Sequence, residues 1–377
     1  MKPATLVVDA ETGKVLVATK STALWYPASL TKLMTAYLTF GEIAAGRLAM
    51  DTQITVSAAA AAEPPTKFGF RTGQKLTVQQ ALSAMLVVSA NDAAVALAEA
   101  IGSTESGFVE KMNGAAQKLG MVSTRYQNAT GLPADGQVTT ARDQAVLALA
   151  LIREYPSEYS LFGLRQATVA GRTLPTVNGM LGAYPGFDGM KTGFTCGSGY
   201  NMVGSAEKSG ERLVAVVLGA GDRNERAALM RKLLDSGFAG GESVPAVMAH
   251  IDLIPAGLET ASPPTVLNGS KCAAADDSDA AGPSSRFSGW GVIFGAYTNT
   301  IQAQHALTVA QLRLKGIASG RTVVVERQYE GARHYTALMV GLDPNVAGRA
   351  CKALWQEQQY CLALNPKVLN DPSAMWR

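Results

Sequence analysis

Two short alternating runs open the chain, at residues 4–10 and 14–19, and Glu11-Thr12-Gly13 between them predicts a β-hairpin. From Ser29 to about Arg47 apolar residues recur at helical spacing, and Gly46 marks the end of that helix. After Glu63-Pro64-Pro65, Thr77 opens a second helical pattern through Val78, Ala81, Leu82, Met85 and Leu86. It runs into Val88-Ser89-Ala90-Asn91-Asp92. The next segment, 93–101, is apolar nearly all round, which predicts a buried helix. Ser89-Ala90-Asn91 is then a turn between two core helices. Further helical patterns cover about 106–119 and 140–153.

Beyond Gln166 the pattern changes to short strands at 167–170, 173–177, 189–192, 200–207 and 212–218, followed by a helix at 223–237. This order predicts an α+β domain over residues 1–240, with helices packed on an antiparallel sheet. Residues 241–287 lose periodicity and gain Ala, Pro, Ser, Gly and Asp, which predicts a linker. A second domain is expected over 288–366, with strands at 290–297, 322–327, 335–341 and 360–363 and helices at 300–315 and 344–356. That order is βαββαβ, the ferredoxin-like arrangement. Residues 367–377 form a tail.

Composition narrows the function classes. The chain has 377 residues, 47% hydrophobic and 17% charged, which is ordinary for globular protein. A net charge of +3 with no long basic run gives no electrostatic case for nucleic acid. No apolar stretch reaches the length of a membrane helix, and the chain enters its first strand without a signal peptide. The expectation is therefore a cytoplasmic protein or a mature exported one. None of the four cysteines, Cys196, Cys272, Cys351 and Cys361, lies in a C-x-x-C pair, so no metal site is expected from them. Cys351 and Cys361 are either a disulfide closing a short loop or two reduced buried thiols.

Ser29 and Lys32 stand three residues apart where the first long helix begins, so they share a helix face. A nucleophile would sit beside a possible base, near unpaired backbone N–H groups that favour negative charge. The bland alternative is a capping serine followed by a solvated lysine. All three histidines, His250, His305 and His334, lie beyond residue 240, so a Ser-His-Asp triad is excluded from the first domain. Acyl transfer there would need another base, and lysine is the candidate. Two further clusters stand out. Lys191-Thr192-Gly193 lies on a predicted strand and would bind a carboxylate, Gly193 letting an extended ligand approach. Ser89-Ala90-Asn91 offers a hydroxyl and an amide; each cluster alone also reads as a turn or a cap.

Together and in this order, S-x-x-K, S-x-N and K-T-G resemble the signature of serine penicillin-recognising enzymes. Residues 24–240 resemble the D-alanyl-D-alanine carboxypeptidases among the low-molecular-mass penicillin-binding proteins, the S11 type of serine peptidase. Tyr26-Pro-Ala-Ser-Leu-Thr-Lys-Leu-Met-Thr, Ser89-Ala-Asn-Asp-Ala-Ala, Met112-Asn, Asn128-Ala-Thr-Gly-Leu-Pro, Thr140-Ala-Arg-Asp and Asp188-Gly-Met-Lys-Thr-Gly carry the likeness. The resemblance implies the penicillin-binding-protein/β-lactamase-like transpeptidase fold and no cofactor. It also implies roles. Ser29 attacks the carbonyl between two terminal D-alanines of a peptidoglycan stem pentapeptide, and Lys32 is the unprotonated base, its pKa lowered by burial and by Lys191. The N–H groups of Ser29 and Phe194 form an oxyanion hole. Ser89 passes a proton to the leaving D-alanine, Asn91 holds the acyl-side amide, and Lys191, Thr192 and Arg226 bind the terminal carboxylate. β-Lactams would acylate Ser29 and leave slowly, since no E-x-x-L-N deacylating segment is found. The first helix N-terminus should lie in a cleft against an edge strand that carries Lys191.

The second domain resembles a SPOR domain, a module for peptidoglycan glycan strands stripped of their peptides. Trp290-Gly-Val-Ile-Phe-Gly-Ala-Tyr and the Cys351 to Cys361 segment carry this likeness, whereas Ile293 replaces a common ligand-facing glutamine. With the resemblance the disulfide reading of Cys351 and Cys361 gains; Cys196 either pairs with Cys272 or stays free. Trp290, Tyr297 and Tyr335 are core residues or sugar-stacking ones. A periplasmic location, at the septum in particular, is implied. Two alternatives use the same residues: a D,D-endopeptidase on cross-links, and a non-catalytic septal scaffold working through its glycan-binding part.

Overall fold

The computed structural model describes residues 2–64, 66–241, 244, 249–254, 289–297, 300–329, 332–357 and 359–369. The chain divides into two compact units, Met1–Asn268 and Gly269–Arg377.

In the first unit β1 (Ala4–Asp9) and β2 (Val15–Thr19) form the expected hairpin. Asp9 Oδ1 holds its turn by accepting from Thr12 N at 2.6 Å and Glu11 N at 3.1 Å. The first long helix, α1 (Thr31–Ala44), is preceded by a 3-10 turn at Ala28–Leu30. A small hairpin of β3 (Gln53–Thr55) and β4 (Lys75–Thr77), with α2 (Ala58–Ala62) between them, was not apparent in the sequence pattern. Then come α3 (Val78–Val87), α4 (Asn91–Gly102), α5 (Glu105–Lys118) and α6 (Ala141–Glu154). Thr77, Thr104 and Thr140 cap α3, α5 and α6 through their side chains, each satisfying a free N–H of the first turn.

A hairpin of β5 (Gln166–Val169) and β6 (Arg172–Pro175) follows. Three longer strands, β7 (Phe187–Thr195), β8 (Gly199–Lys208) and β9 (Glu211–Ala220), complete the main sheet, and α7 (Arg223–Phe238) packs on it. The sheet is antiparallel throughout in the order β2-β1-β9-β8-β7, which leaves β7 at an edge. Leu213 to Leu218 on β9 are all fully buried. Alternate side chains explain this: Val214, Val216 and Leu218 join the core under α1, α3, α4 and α6, whereas Leu213 faces Gly237 of α7. Both faces are covered, so the strand reads as a continuous apolar run.

The first unit does not stop near Gly240. Val15 N donates to Ala249 O at 3.0 Å, Ile251 N donates to Gly13 O at 2.9 Å, and Ile251 and Ile254 enter the core. Two isolated isoleucines carry no periodicity, which is why this return to the hairpin read as linker. The remainder of the expected linker, 255–288, lies outside the described residues.

The second unit contains β10 (Trp290–Tyr297), α8 (Thr300–Arg313), β11 (Arg321–Tyr329), β12 (Ala332–Leu342), α9 (Pro344–Gln356), β13 (Leu362–Leu364) and a short α10 (Pro366–Leu369). The antiparallel sheet order is β11-β12-β10-β13, the split βαββαβ arrangement. One face packs Val292, Phe294 and Met339 against Leu307 of α8 and Leu354 of α9. Trp290, Tyr297 and Tyr335 pack against that core. Ile293 is buried on the other face with Val323, Leu338, Val340 and Leu369. A disulfide joins Cys351 to Cys361. Cys196 is also in a disulfide rather than free, and Cys272 lies outside the described residues.

Candidate active site

Ser29 sits in the 3-10 turn and not in the first turn of α1, because Ala28 adopts a left-handed φ of 50° that turns the chain into the helix. The 3-residue spacing still brings its partner alongside. Lys32 Nζ lies 3.1 Å from Ser29 Oγ, 2.7 Å from Asn91 Oδ1 and 2.6 Å from Thr130 O. A neutral amine has two N–H donors and one lone pair: Asn91 Oδ1 and Thr130 O take the two donors, which leaves the lone pair for the Ser29 hydroxyl. Lys32 is fully buried, and its pKa is held well below the usual amine range by burial first and then by Lys191. An amine so placed can accept the hydroxyl proton of Ser29.

The loop that supplies Thr130 O is fixed by Asn128, whose Oδ1 accepts from Gly131 N at 2.7 Å. At Gly131, with φ of 87°, an added Cβ would stand 1.8 Å from Ala28 O, so only glycine fits. Asn201 on β8 pins the opposite side. Its Nδ2 donates to Tyr26 O at 2.9 Å and Pro27 O at 3.2 Å, and its Oδ1 accepts from Gly219 N at 2.9 Å. Sequence reasoning missed Asn201, because nothing local marks an asparagine within a strand as a clamp.

Ser89 ends the α3–α4 turn with φ of 63°, and its Oγ is buried with no hydrogen-bond partner among the described residues. Asn91 begins α4 and faces two ways. While Oδ1 accepts from Lys32, Nδ2 donates to Pro64 O at 2.9 Å and the backbone N–H donates to Thr66 O at 2.8 Å. The adjacent Asp92 is fully buried and accepts from Phe68 N at 3.0 Å, Gly69 N at 2.7 Å and Phe70 N at 3.0 Å. Asn91 and Asp92 therefore fasten the 63–70 loop to the start of α4. That loop carries Glu63, whose carboxyl is pushed up to about 7 by burial and by Glu105, against the opposing pull of Lys32 and Lys67. Neither Asp92 nor Glu63 was among the expected site residues. The only signal for Glu63 was an acid standing directly before Pro64-Pro65.

On edge strand β7 Lys191 is buried, and its Nζ lies 3.0 Å from Thr192 O. Burial, then the guanidinium of Arg226, lowers it to about 7. Arg226 projects from α7 with 8% exposure; its Nη1 is 3.5 Å from Asn201 O and its Nε has no partner among the described residues. Burial first, then Arg223, lowers its own pKa to about 10. Two buried cations with spare N–H groups make a place for an anion. At Gly193 an added Cβ would lie 3.1 Å from both Ser29 N and Pro27 O, so the strand backbone passes directly against the serine. The Phe194 ring packs against that of Tyr200 in a tilted arrangement, with centroids 4.4 Å apart. The cleft between helical layer and edge strand thus gathers Ser29, Lys32, Asn91, Lys191, Thr192, Gly193 and Arg226, with Phe194 next along β7; Ser89 stands two residues before Asn91. Among the described residues no cluster of His, Cys, Asp and Glu could hold a metal ion.

An antiparallel sheet with helices on both faces and, against its edge strand, a half-buried serine beside a buried lysine defines the penicillin-binding-protein type of α+β fold. The family described as Peptidase_S11, D-alanyl-D-alanine carboxypeptidase, matches residues 2–222, and the chain belongs to it. Relatives agree. D-alanyl-D-alanine carboxypeptidase DacF of Bacillus subtilis (strain 168) is 36% identical over 245 residues, which span 64% of this chain and 63% of that relative. The structure of penicillin binding protein 6B from Escherichia coli superimposes with a TM-score of 0.60 at 36% identity, covering 63% of this chain and 78% of that one. Penicillin-Binding Protein D2 from Listeria monocytogenes in its ampicillin-bound form gives a TM-score of 0.56 at 34% identity, over 62% of this chain and 96% of that one.

Proposed function

We propose that this chain is a serine-type D-Ala-D-Ala carboxypeptidase that removes the terminal D-alanine of peptidoglycan stem pentapeptides through an acyl-enzyme on Ser29. One observation carries the reading: the buried amine of Lys32 lies 3.1 Å from Ser29 Oγ, and burial and Lys191 both favour its neutral form. Lys32 takes the hydroxyl proton as Ser29 Oγ bonds to the carbonyl carbon between the two D-alanines. The N–H groups of Ser29 and Phe194 receive the oxyanion, a contribution on the order of 3 kcal/mol per donor. Ser89 hands a proton to the departing amine, and water then cleaves the ester. Asn91 holds the acyl-side amide. Lys191, Thr192 and Arg226 bind the terminal carboxylate, consistent with the two buried cations there. Gly193 admits the extended peptide beside β7.

A β-lactam has the shape of the acyl-D-Ala-D-Ala segment, so penicillin is expected to acylate Ser29; a relative bound to ampicillin supports this. The protein is read as periplasmic, where such substrates are, and acts at the septum. For the second unit the reading is attachment to glycan strands stripped of peptides, which would hold the enzyme at its substrate. Ile293 is buried beneath Leu369, so stacking falls to exposed aromatics such as Trp355. Measuring D-alanine released from a pentapeptide by the intact chain and by Ser29→Ala tests the reaction. Release by the variant at the wild-type rate would overturn it.

A further inference from the structure

Lys32 is held by two stretches of chain, and each carries a carboxyl group next to its point of attachment. On one side Lys32 Nζ donates to Asn91 Oδ1 and Asn91 Nδ2 donates to Pro64 O, so Glu63 directly precedes the residue on which that link ends. On the other side Nζ donates to Thr130 O, and the neighbouring Ala129 N donates to Glu105 Oε1 at 2.9 Å. Glu63 closes α2 and Glu105 opens α5. Two acids from separate elements thus flank the supports of the base, and their charges act on each other.

The acids near Lys32 differ in how they are held. The Asp92 carboxylate is tied to the N–H groups of Phe68, Gly69 and Phe70, and Glu105 receives Ala129 N. Glu63 Oε2, by contrast, is buried with no hydrogen-bond partner among the described residues. Glu63 also stands at the end of a helix, where free carbonyl groups disfavour negative charge. The charged groups acting on it are Glu105 of α5, Lys32 of α1, Lys67 of its own loop and Asp92 of α4. Those acting on Lys32 are Lys191 of β7, Glu63 and Asp92. Burial first, then Glu105, pushes the Glu63 carboxyl up to about 7, so this acid changes its charge near neutral pH, where an ordinary glutamate stays ionised. Lys32 gives its N–H groups to Asn91 and Thr130, which leaves Glu63 to act on it through space.

We propose that Glu63 is a positioning residue for the base: as a carboxylate it favours the ammonium form of Lys32 and withholds the amine from Ser29, so acylation sets in at a higher pH than the buried lysine alone would give. The inference rests on the proposed reaction, in which Lys32 is the base, and adds the group that tunes it. No bond forms or breaks at Glu63; its charge is what acts.

The test follows the penicillin adduct by mass spectrometry, at saturating penicillin and across pH, in the intact chain and in Glu63→Gln, Glu63→Ala and Glu63→Asp. Each profile is read relative to its own maximum, so a smaller folded fraction leaves the midpoint of the acid limb unmoved. Both neutral variants should move that midpoint down by roughly 0.5–1 pH unit, less than a carboxylate in direct contact would give. On the limb they then acylate roughly three- to ten-fold faster relative to their maxima. Glu63→Asp, which keeps the charge, should stay at the wild-type midpoint. A midpoint shared by wild type and the neutral variants, or one that moves as far in Glu63→Asp as in Glu63→Gln, overturns the inference alone. Loss of acylation at every pH in both neutral variants overturns it too, since the carboxylate would then serve the loop's structure. No adduct on the wild-type chain at any pH overturns the proposed reaction and this inference with it.

Discussion

Asn91 joins the amine of Lys32 to the loop that carries Pro64: Oδ1 accepts from Lys32 Nζ at 2.7 Å, and Nδ2 donates to Pro64 O at 2.9 Å. One amide thereby fixes both Lys32 and that loop. Because Asn91 also starts α4, the position of Lys32 is tied to a helix packed in the core and not to a loose side chain.

The base is the first thing to test. Lys32→Arg keeps a cation but cannot shed its proton near neutral pH. Acylation by penicillin should slow by about 10³-fold, within the range for loss of a general base. Mass spectrometry of the adduct over time gives the rate, and an unchanged rate would remove Lys32 from that role.

Loss of Asp92 should loosen the loop that it and Asn91 hold. Asp92→Ala leaves the N–H groups of Phe68, Gly69 and Phe70 without their acceptor, a cost of roughly 3 kcal/mol. Urea denaturation should show that loss, and acylation should slow with it because Asn91 shares the loop. A variant as stable as wild type would mean that water replaces the carboxylate without penalty.

Glu63 should make stability depend on pH. Its carboxyl is raised to about 7 in the fold from an ordinary value of 4.5, so the folded state holds the proton more tightly than the unfolded chain. Its ionisation costs nothing below pH 4.5, and the cost grows as pH rises to about 7. Glu63→Gln should therefore raise the melting temperature at pH 8 and leave it nearly unchanged at pH 4. Equal shifts at both values would show that the carboxyl is not perturbed.

Lys191 gives a second pH limb. With a pKa near 7, it loses its charge as pH rises through neutrality, and in its proposed role its hold on a substrate carboxylate weakens with it. The alkaline side of kcat/KM should fall from about there, and Lys191→Arg, which stays charged, should move that fall to higher pH. Should both proteins share one alkaline limb, the carboxylate contact lies elsewhere.

Much of the fold was legible because its signals are local. Helical spacing in α1, α3 and α6 and threonine caps belong to single segments, as does the alternation in β1 and β2. The β3–β4 hairpin escaped because three-residue strands have too few positions to show a period. The return of Ile251 and Ile254 to the core escaped because the contacts that fix it lie far back in the chain, at Gly13 and Val15.

The candidate site divides the same way. Residue types and their order along the chain singled out Ser29, the two lysines and the turn before α4 as candidates, since acyl transfer needs such groups and the absence of histidine from residues 1–240 leaves lysine as the candidate base. Ser29 and Lys32, three apart on one helical start, are a local fact. Only the tertiary structure decided which groups surround them. Lys32 meets Thr130 across 98 positions and Asn91 across 59, and Arg226 lowers Lys191 from another helix. The roles of Asp92, Asn201 and Glu63 arise where separate segments meet. Burial and the field of distant charges depend on packing in three dimensions, and no local pattern encodes them.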